Sequence, residues 1–142
     1  GVHALGTLMK HTTGSKKFEM DHVQASFKLS TGALATVTAD WLTAQQSQSF
    51  GDTRFIIMGT KGSAHLRAYA SDHLLVVTDT KGVYEPAMPL DRGNLFVQNL
   101  IEALSRGEEP FVSTAEVLRA ARASLMAQQS ALRGGEFLAI ES

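Results

Sequence analysis

The sequence contains no cysteine, so neither a disulfide framework nor a thiolate zinc site can hold it together. It also lacks an excess of positive charge. Its 13 Lys and Arg stand against 14 Asp and Glu, a formal net charge of -1 that leaves nothing to neutralise a nucleic-acid backbone or an anionic bilayer. Long apolar runs are missing too: stretches such as Phe55 to Met58 and Leu74 to Val77 fall far short of the ~20 residues that a membrane span needs. We therefore expect a soluble, cytoplasmic chain with neither nucleic acid nor membrane as partner. Its opening, Gly1-Val2-His3, has no initiator Met and no basic-then-apolar signal pattern, and reads as the middle of a protein. What is present is enough for a core: 142 residues, 44% of them hydrophobic, suit one domain that buries roughly 70% of its unfolded surface.

Val2, Leu5, Leu8 and Met9 recur at helical spacing, and Thr12-Thr13-Gly14 would stop that helix. From Val23 the pattern becomes strict alternation, with Val23, Ala25, Phe27 and Leu29 on one side and Gln24, Ser26, Lys28 and Ser30 on the other. This predicts a half-buried strand. Ser30-Thr31-Gly32 turns it into a second alternating run, in which Ala33, Ala35, Val37, Ala39 and Trp41 oppose Leu34, Thr36, Thr38, Asp40 and Leu42. Two further hairpins follow. Gly59-Thr60-Lys61-Gly62 joins Arg54–Met58 to Ser63–Arg67, and the segment around Thr80-Lys81-Gly82 joins Leu74–Val77 to Val83-Tyr84. Pro86 and Pro89 then end the meander, since neither can donate to a ladder.

The rest predicts two helices and a short tail strand. Asp91 is placed to cap a helix whose stripe of Leu95, Phe96, Asn99, Leu100, Ala103 and Leu104 faces a core. Ser113-Thr-Ala-Glu116 has the capping-box spacing, and the long helix it opens carries Leu118, Leu125 and Leu132 every seven residues before Gly134-Gly135 ends it. Glu136–Ile140 is apolar enough to pair as a last strand. The fold class is α+β: an open, predominantly antiparallel sheet with helices on one face, in a single domain over residues 1–142.

The order of these pieces resembles the Gfo/Idh/MocA family of NAD(P)-dependent oxidoreductases. Gly1-Val2-His3-Ala4-Leu5 is similar to the helix segment that carries the family's active-site histidine. The strand pair around Ser30-Thr31-Gly32, the hairpin Ile56-Ile-Met-Gly-Thr-Lys-Gly62, and the run from Phe96-Val-Gln-Asn-Leu-Ile101 through Gly107-Glu-Glu-Pro110 to Ser130-Ala131 complete the likeness over nearly the whole chain. It implies the family's C-terminal domain, of glyceraldehyde-3-phosphate-dehydrogenase-like fold, without the N-terminal Rossmann domain. No G-x-G-x-x-G opens a helix after a strand, and the family's Glu-Lys-Pro is missing.

That resemblance implies a parent enzyme moving a hydride between NAD or NADP and a sugar, polyol or related hydroxyl compound, with the cofactor on the absent domain and none in this chain. The chain alone is expected to be inactive, supplying part of a substrate pocket and a dimer or tetramer interface formed by the open sheet face, with Ala33, Ala35, Val37, Ala39 and Trp41 on one side and Leu34 and Leu42 on the other. His3 is the one catalytic residue the resemblance carries over, because imidazole can both give and take a proton near neutral pH. The sequence departs from the family one turn later, where Gly6 stands in place of a frequent aspartate. No substrate-binding residue can be named.

His11, His22, His65 and His73 fall in no metal-binding spacing, so no metal site is expected. Asp40 beside Trp41 could offer a sugar a carboxylate and a stacking face, but Trp41 continues the apolar alternation and reads first as a core or interface residue. Arg119, Arg122 and Arg133 read as the long helix's solvated face, and Lys16-Lys17 as two loop charges. Two other classes stay open: a non-catalytic assembly module, and a stand-alone ligand-binding α+β domain.

Overall fold

The structure, a computed structural model, describes residues 1–9, 20–44, 46–47, 51, 53–67, 74–87 and 95–141, which fall into two compact units: Gly1–Leu42 with Phe96–Ser142, and Thr43–Leu95. The first unit pairs β1 (Val2–Thr7), β2 (His22–Lys28) and β3 (Leu34–Asp40) as an antiparallel sheet in that order. The β2–β3 turn closes where the sequence places it. Leu29 donates to Ala33, and Gly32, at a φ of 86°, takes the left-handed conformation that glycine adopts without steric cost.

β1 is a correction. The helical spacing of Val2, Leu5, Leu8 and Met9 gives way to a strand whose six residues all pair with β2. In so short a segment Val2 and Ala4 alternate with His3 and Leu5 as well as they fit a helical stripe, and partners distant in sequence decide. On its other edge Val2 exchanges both backbone hydrogen bonds with Leu138, each 2.8 Å, so the tail does pair, as a single bridge. Gly6 packs under Met20, whose sulfur fills the space a side chain would need.

Helix α2 (Thr114–Leu132) lies along β1 and packs through small residues. Val2, Ala4, Ala25, Ala127 and Leu138 form the buried cluster, flanked by Val23, Phe27, Met126, Ala131 and Ile140. Alanines at the contact let helix and strand approach closely, while Leu118, Leu125 and Leu132 lie on the exposed side of the helix. The predicted capping box is formed: the Glu116 amide donates to Ser113 Oγ at 3.2 Å, and Glu116 Oε2 accepts from the Ser113 amide at 2.9 Å.

The Ser113 amide and hydroxyl hold the Glu116 carboxyl below its ordinary value. A carboxylate depressed on folding stabilises above its unfolded pKa, and that support is lost as pH falls through its folded one. Ser113→Ala should therefore cost about 1 kcal/mol at neutral pH, and less once Glu116 is protonated. Thermal unfolding at two pH values would show the difference, and an equal loss at both would rule out the reciprocal cap.

Helix α1 (Leu95–Arg106) keeps its predicted stripe but buries little of it. Phe96 meets Phe111 edge-on, with centroids 6.1 Å apart, and Asn99 Oδ1 accepts from the Phe111 amide at 2.9 Å. Ala103 is buried, yet Leu104 stays 65% exposed, because the chain that covers the helix is its own following segment. Asp91, its expected cap, lies outside the described residues, as do Thr12-Thr13-Gly14 and Pro89.

The second unit is an antiparallel sheet in the order β4 (Arg54–Gly59), β5 (Gly62–Arg67), β6 (Leu74–Asp79), β7 (Gly82–Tyr84). Register sorts its side chains into two faces. One carries Phe55–Leu66–Leu75, then Ile57–Ala64–Val77–Tyr84, then Gly59–Gly62–Asp79, while the other carries Arg54 and Arg67, then Ile56–His65–Val76, then Met58–Ser63–Thr78–Val83. The Tyr84 hydroxyl donates to Asp79 Oδ2 at 3.1 Å, which raises the phenol above its ordinary value, and Asp79 Oδ1 accepts from the Lys81 amide at 2.7 Å. The expected α+β architecture is present, its antiparallel strands distributed over two sheets.

Candidate functional site

Three strands in register decide what the first unit offers on the side away from α2. His3, Ser26 and Thr36 form one row across the sheet, and Leu5, Gln24 and Thr38 the next. Thr7, His22 and Asp40 close one end, Lys28 and Leu34 the other. This face is polar apart from Leu5 and Leu34, as expected of an antiparallel sheet with one solvated side.

At the Lys28 end the face dips into a depression of about 250 Å³ lined by His3, Ser26, Lys28, Leu34, Thr36 and Phe137, among others. His3 thus lies on a strand, as the second residue of β1, and the active-site-helix resemblance does not hold for residues 2–7. Its neighbours are hydroxyls, an ammonium and an aromatic ring.

Two devices hold this end of the face. Ser130, fully buried, accepts the Ala4 amide through Oγ at 2.8 Å and donates to the Glu136 carbonyl at 2.6 Å, which fixes β1 to the end of α2. The chain then passes through Gly135, at a φ of 93°, where an added Cβ would stand 2.9 Å from both His3 Nε2 and Leu5 Cδ2. That close approach sets the position of the His3 ring beside the turn and brings Phe137 to the mouth of the depression.

The other candidates do not join it. Asp40 Oδ1 accepts from the Leu42 amide at 2.9 Å and stands at the opposite end of the face, while Trp41 is 59% exposed and not a core residue. His22 Nδ1 is buried with no hydrogen-bond partner among the described residues, and His65 lies in the second unit. Arg119 is exposed, Arg122 donates to the Glu141 carbonyl at 2.9 Å, and Arg133 pairs with Glu136 at 3.4 Å, the solvated arrangement expected for all three. His11, His73, Lys16 and Lys17 lie outside the described residues. Among the described residues no three His, Asp or Glu side chains group as a metal site would require, and no helix is long and apolar enough to cross a membrane.

The site contains Ser26, Lys28, Thr36 and Phe137, none of which sequence reasoning singled out. The alternation of β2 already placed Ser26 and Lys28 on one side, and the hairpin turn set Thr36 opposite Ser26, so three of the four were readable. Phe137 arrives by a pairing more than 130 residues long, for which the sequence holds no local signal.

No protein-family model matches the chain, and no curated protein does either. Solved structures do. A Thermotoga maritima protein assigned as an oxidoreductase superposes with a TM-score of 0.76 at 22% identity, over 94% of this chain and 38% of that one. An oxidoreductase from Agrobacterium radiobacter, in complex with NAD+, L-tartaric acid and magnesium, gives 0.70 at 21% identity over 94% and 41%. The aldose-aldose oxidoreductase of Caulobacter crescentus, complexed with glycerol, gives 0.71 at 17% identity over 94% and 39%. The chain spans about two-fifths of the length of these proteins, and it has the fold of that part of them.

Proposed function

We propose that this chain is the substrate-side domain of an NAD(P)-dependent oxidoreductase of the Gfo/Idh/MocA type, whose parent oxidises or reduces a sugar, polyol or related hydroxyl compound. The observation that carries the reading is the fold match, which takes in nearly all of this chain and two-fifths of each oxidoreductase. That one neighbour is in complex with tartaric acid and another, named an aldose-aldose oxidoreductase, with glycerol supports a small hydroxylated substrate.

Among the described residues, α2 gives the dinucleotide no seat. A helix N-terminus with free amides can hold a pyrophosphate, but that of α2 is occupied by the Ser113 hydroxyl and the Glu116 carboxylate, which would repel phosphate. No described glycine-rich turn leads from a strand into a helix. On this reading the cofactor is held by a region outside this sequence. His3 is the group in the depression able to exchange a proton with a substrate hydroxyl, which is the role this reading gives it.

The test joins this chain to the coding sequence upstream of Gly1 and assays the product with both nicotinamides against a panel of sugars and polyols. Nicotinamide-dependent turnover of at least one member is expected, together with no NADH binding by the 142-residue chain in calorimetry. Tight NADH binding by the chain alone would sink the reading, as would a start codon directly before Gly1.

An assembly role is compatible with this reading and is favoured by a separate observation. One face of β4–β7 is apolar in two consecutive rows, and Phe55 and Ile57 on it are 52% and 63% exposed. A second copy of the chain is the occupant proposed for that face.

A further inference from the structure

The depression at His3 gathers polar side chains for which the protein has no use of its own. His3, Ser26, Lys28 and Thr36 all line it, and none of the four side chains hydrogen-bonds to another described residue. His3, Ser26 and Thr36 share a row, and the strand spacing places the outer two about 10 Å apart. Lys28 stands two residues further along β2, about 7 Å from Ser26. All the ionisable side chains of the lining are basic in type, with no carboxylate among them. Phe137 and Leu34 add exposed apolar surface beside these donors.

We propose that this depression binds a small hydroxycarboxylate of the sugar-acid class. Its carboxylate pairs with Lys28, its hydroxyls meet Ser26, Thr36 and His3, and its C–H face lies against Phe137. A carboxylate fits better than a phosphate ester. One lysine supplies one positive charge, whereas the site offers no arginine fork, and none of its lining comes from a helix N-terminus, the features that phosphate groups favour. A space of about 250 Å³ lies below the ~300–1,000 Å³ of pockets for drug-sized ligands and suits a molecule of six carbons or fewer. The lining is solvent-exposed, so affinity should be modest, with a Kd of about 1–10 mM.

The inference rests on the substrate-side reading only in making this face the one that meets ligand. It is tested without nicotinamide, so a failed redox assay would leave it standing. The 15N-labelled chain is titrated with D-gluconate, D-glucose and inorganic phosphate, and amide shifts are followed. D-Gluconate should move amides of β1, β2 and β3 at the His3 row and around Phe137, with D-glucose and phosphate each about threefold to fivefold weaker. Lys28→Met should weaken D-gluconate about threefold to fivefold and leave D-glucose unchanged, while Ser26→Ala with Thr36→Val should weaken both several-fold. Retained amide dispersion in each variant confirms that it folds. Equal binding of gluconate and glucose would overturn the proposal, and so would phosphate matching gluconate, shifts confined to other strands, or no saturable response.

Discussion

Ser130→Ala should lower the stability of the first unit by about 3 kcal/mol, although it removes a single oxygen atom. That oxygen serves two backbone groups at once, the buried Ala4 amide at 2.8 Å and the part-buried Glu136 carbonyl at 2.6 Å, and Ser130 is 0% exposed. Alanine leaves the buried Ala4 amide unpaired, at about 1–3 kcal/mol, and removes the partner of the part-buried Glu136 carbonyl, at about 0.5–1.5 kcal/mol. The loss also falls on the joint between the α2 terminus, the edge of β1 and the tail that pairs Leu138 with Val2. With an m-value of about 1–3 kcal/mol/M in urea, the midpoint should drop by about 1–3 M. Ser124→Ala is the control. Its hydroxyl bonds the Ala120 carbonyl at 3.0 Å on the exposed side of the same helix, so its loss should stay within about 0.5 kcal/mol. Should the two variants shift the midpoint equally, Ser130 would not be the joint described.

The parts of this fold that were legible in sequence are those whose signals are local. The α2 cap needs only Ser113 and Glu116, three residues apart, and each hairpin turn sits on its own glycine. β1 was misread because its strand character comes from β2 and Leu138, more than 14 residues away in either case, while its own six residues fit either period. The candidate site divides in the same way. Alternation and one turn set Ser26, Lys28 and Thr36 on a common face, but only the closed structure brings His3 and Phe137 to it. At Trp41 only the core half of the reading fails: apolar alternation runs to the end of β3, yet α2 packs along β1, at the other edge of the sheet, and leaves β3 exposed on both faces.

Ile57→Lys should abolish self-association of the 142-residue chain, weakening it at least a hundredfold. The apolar face of β4–β7 is bulky at one end, where Phe55, Leu66 and Leu75 stand, and hollow at the other. There Gly59, Gly62 and Ala64 help line a depression of about 400 Å³. In the dimer proposed, a two-fold axis lying in the interface and crossing the strands would carry each bulky row over the partner's hollow and leave the Ile57 row facing itself. The face measures roughly 15–20 Å on each side, about 450–800 Å² over two copies and below the ~1,000 Å² of a stable interface, so a weak dimer is expected, seen in sedimentation experiments only at high protein concentration. Lysine at position 57 would bury two ammonium groups against each other beside the axis, a cost that the apolar rows cannot offset. Met58→Lys changes the opposite face of the same strand and should leave the dimer intact. Equal disruption by both variants, or a wild-type chain that stays monomeric at millimolar concentration, would show that this face is not where two copies meet.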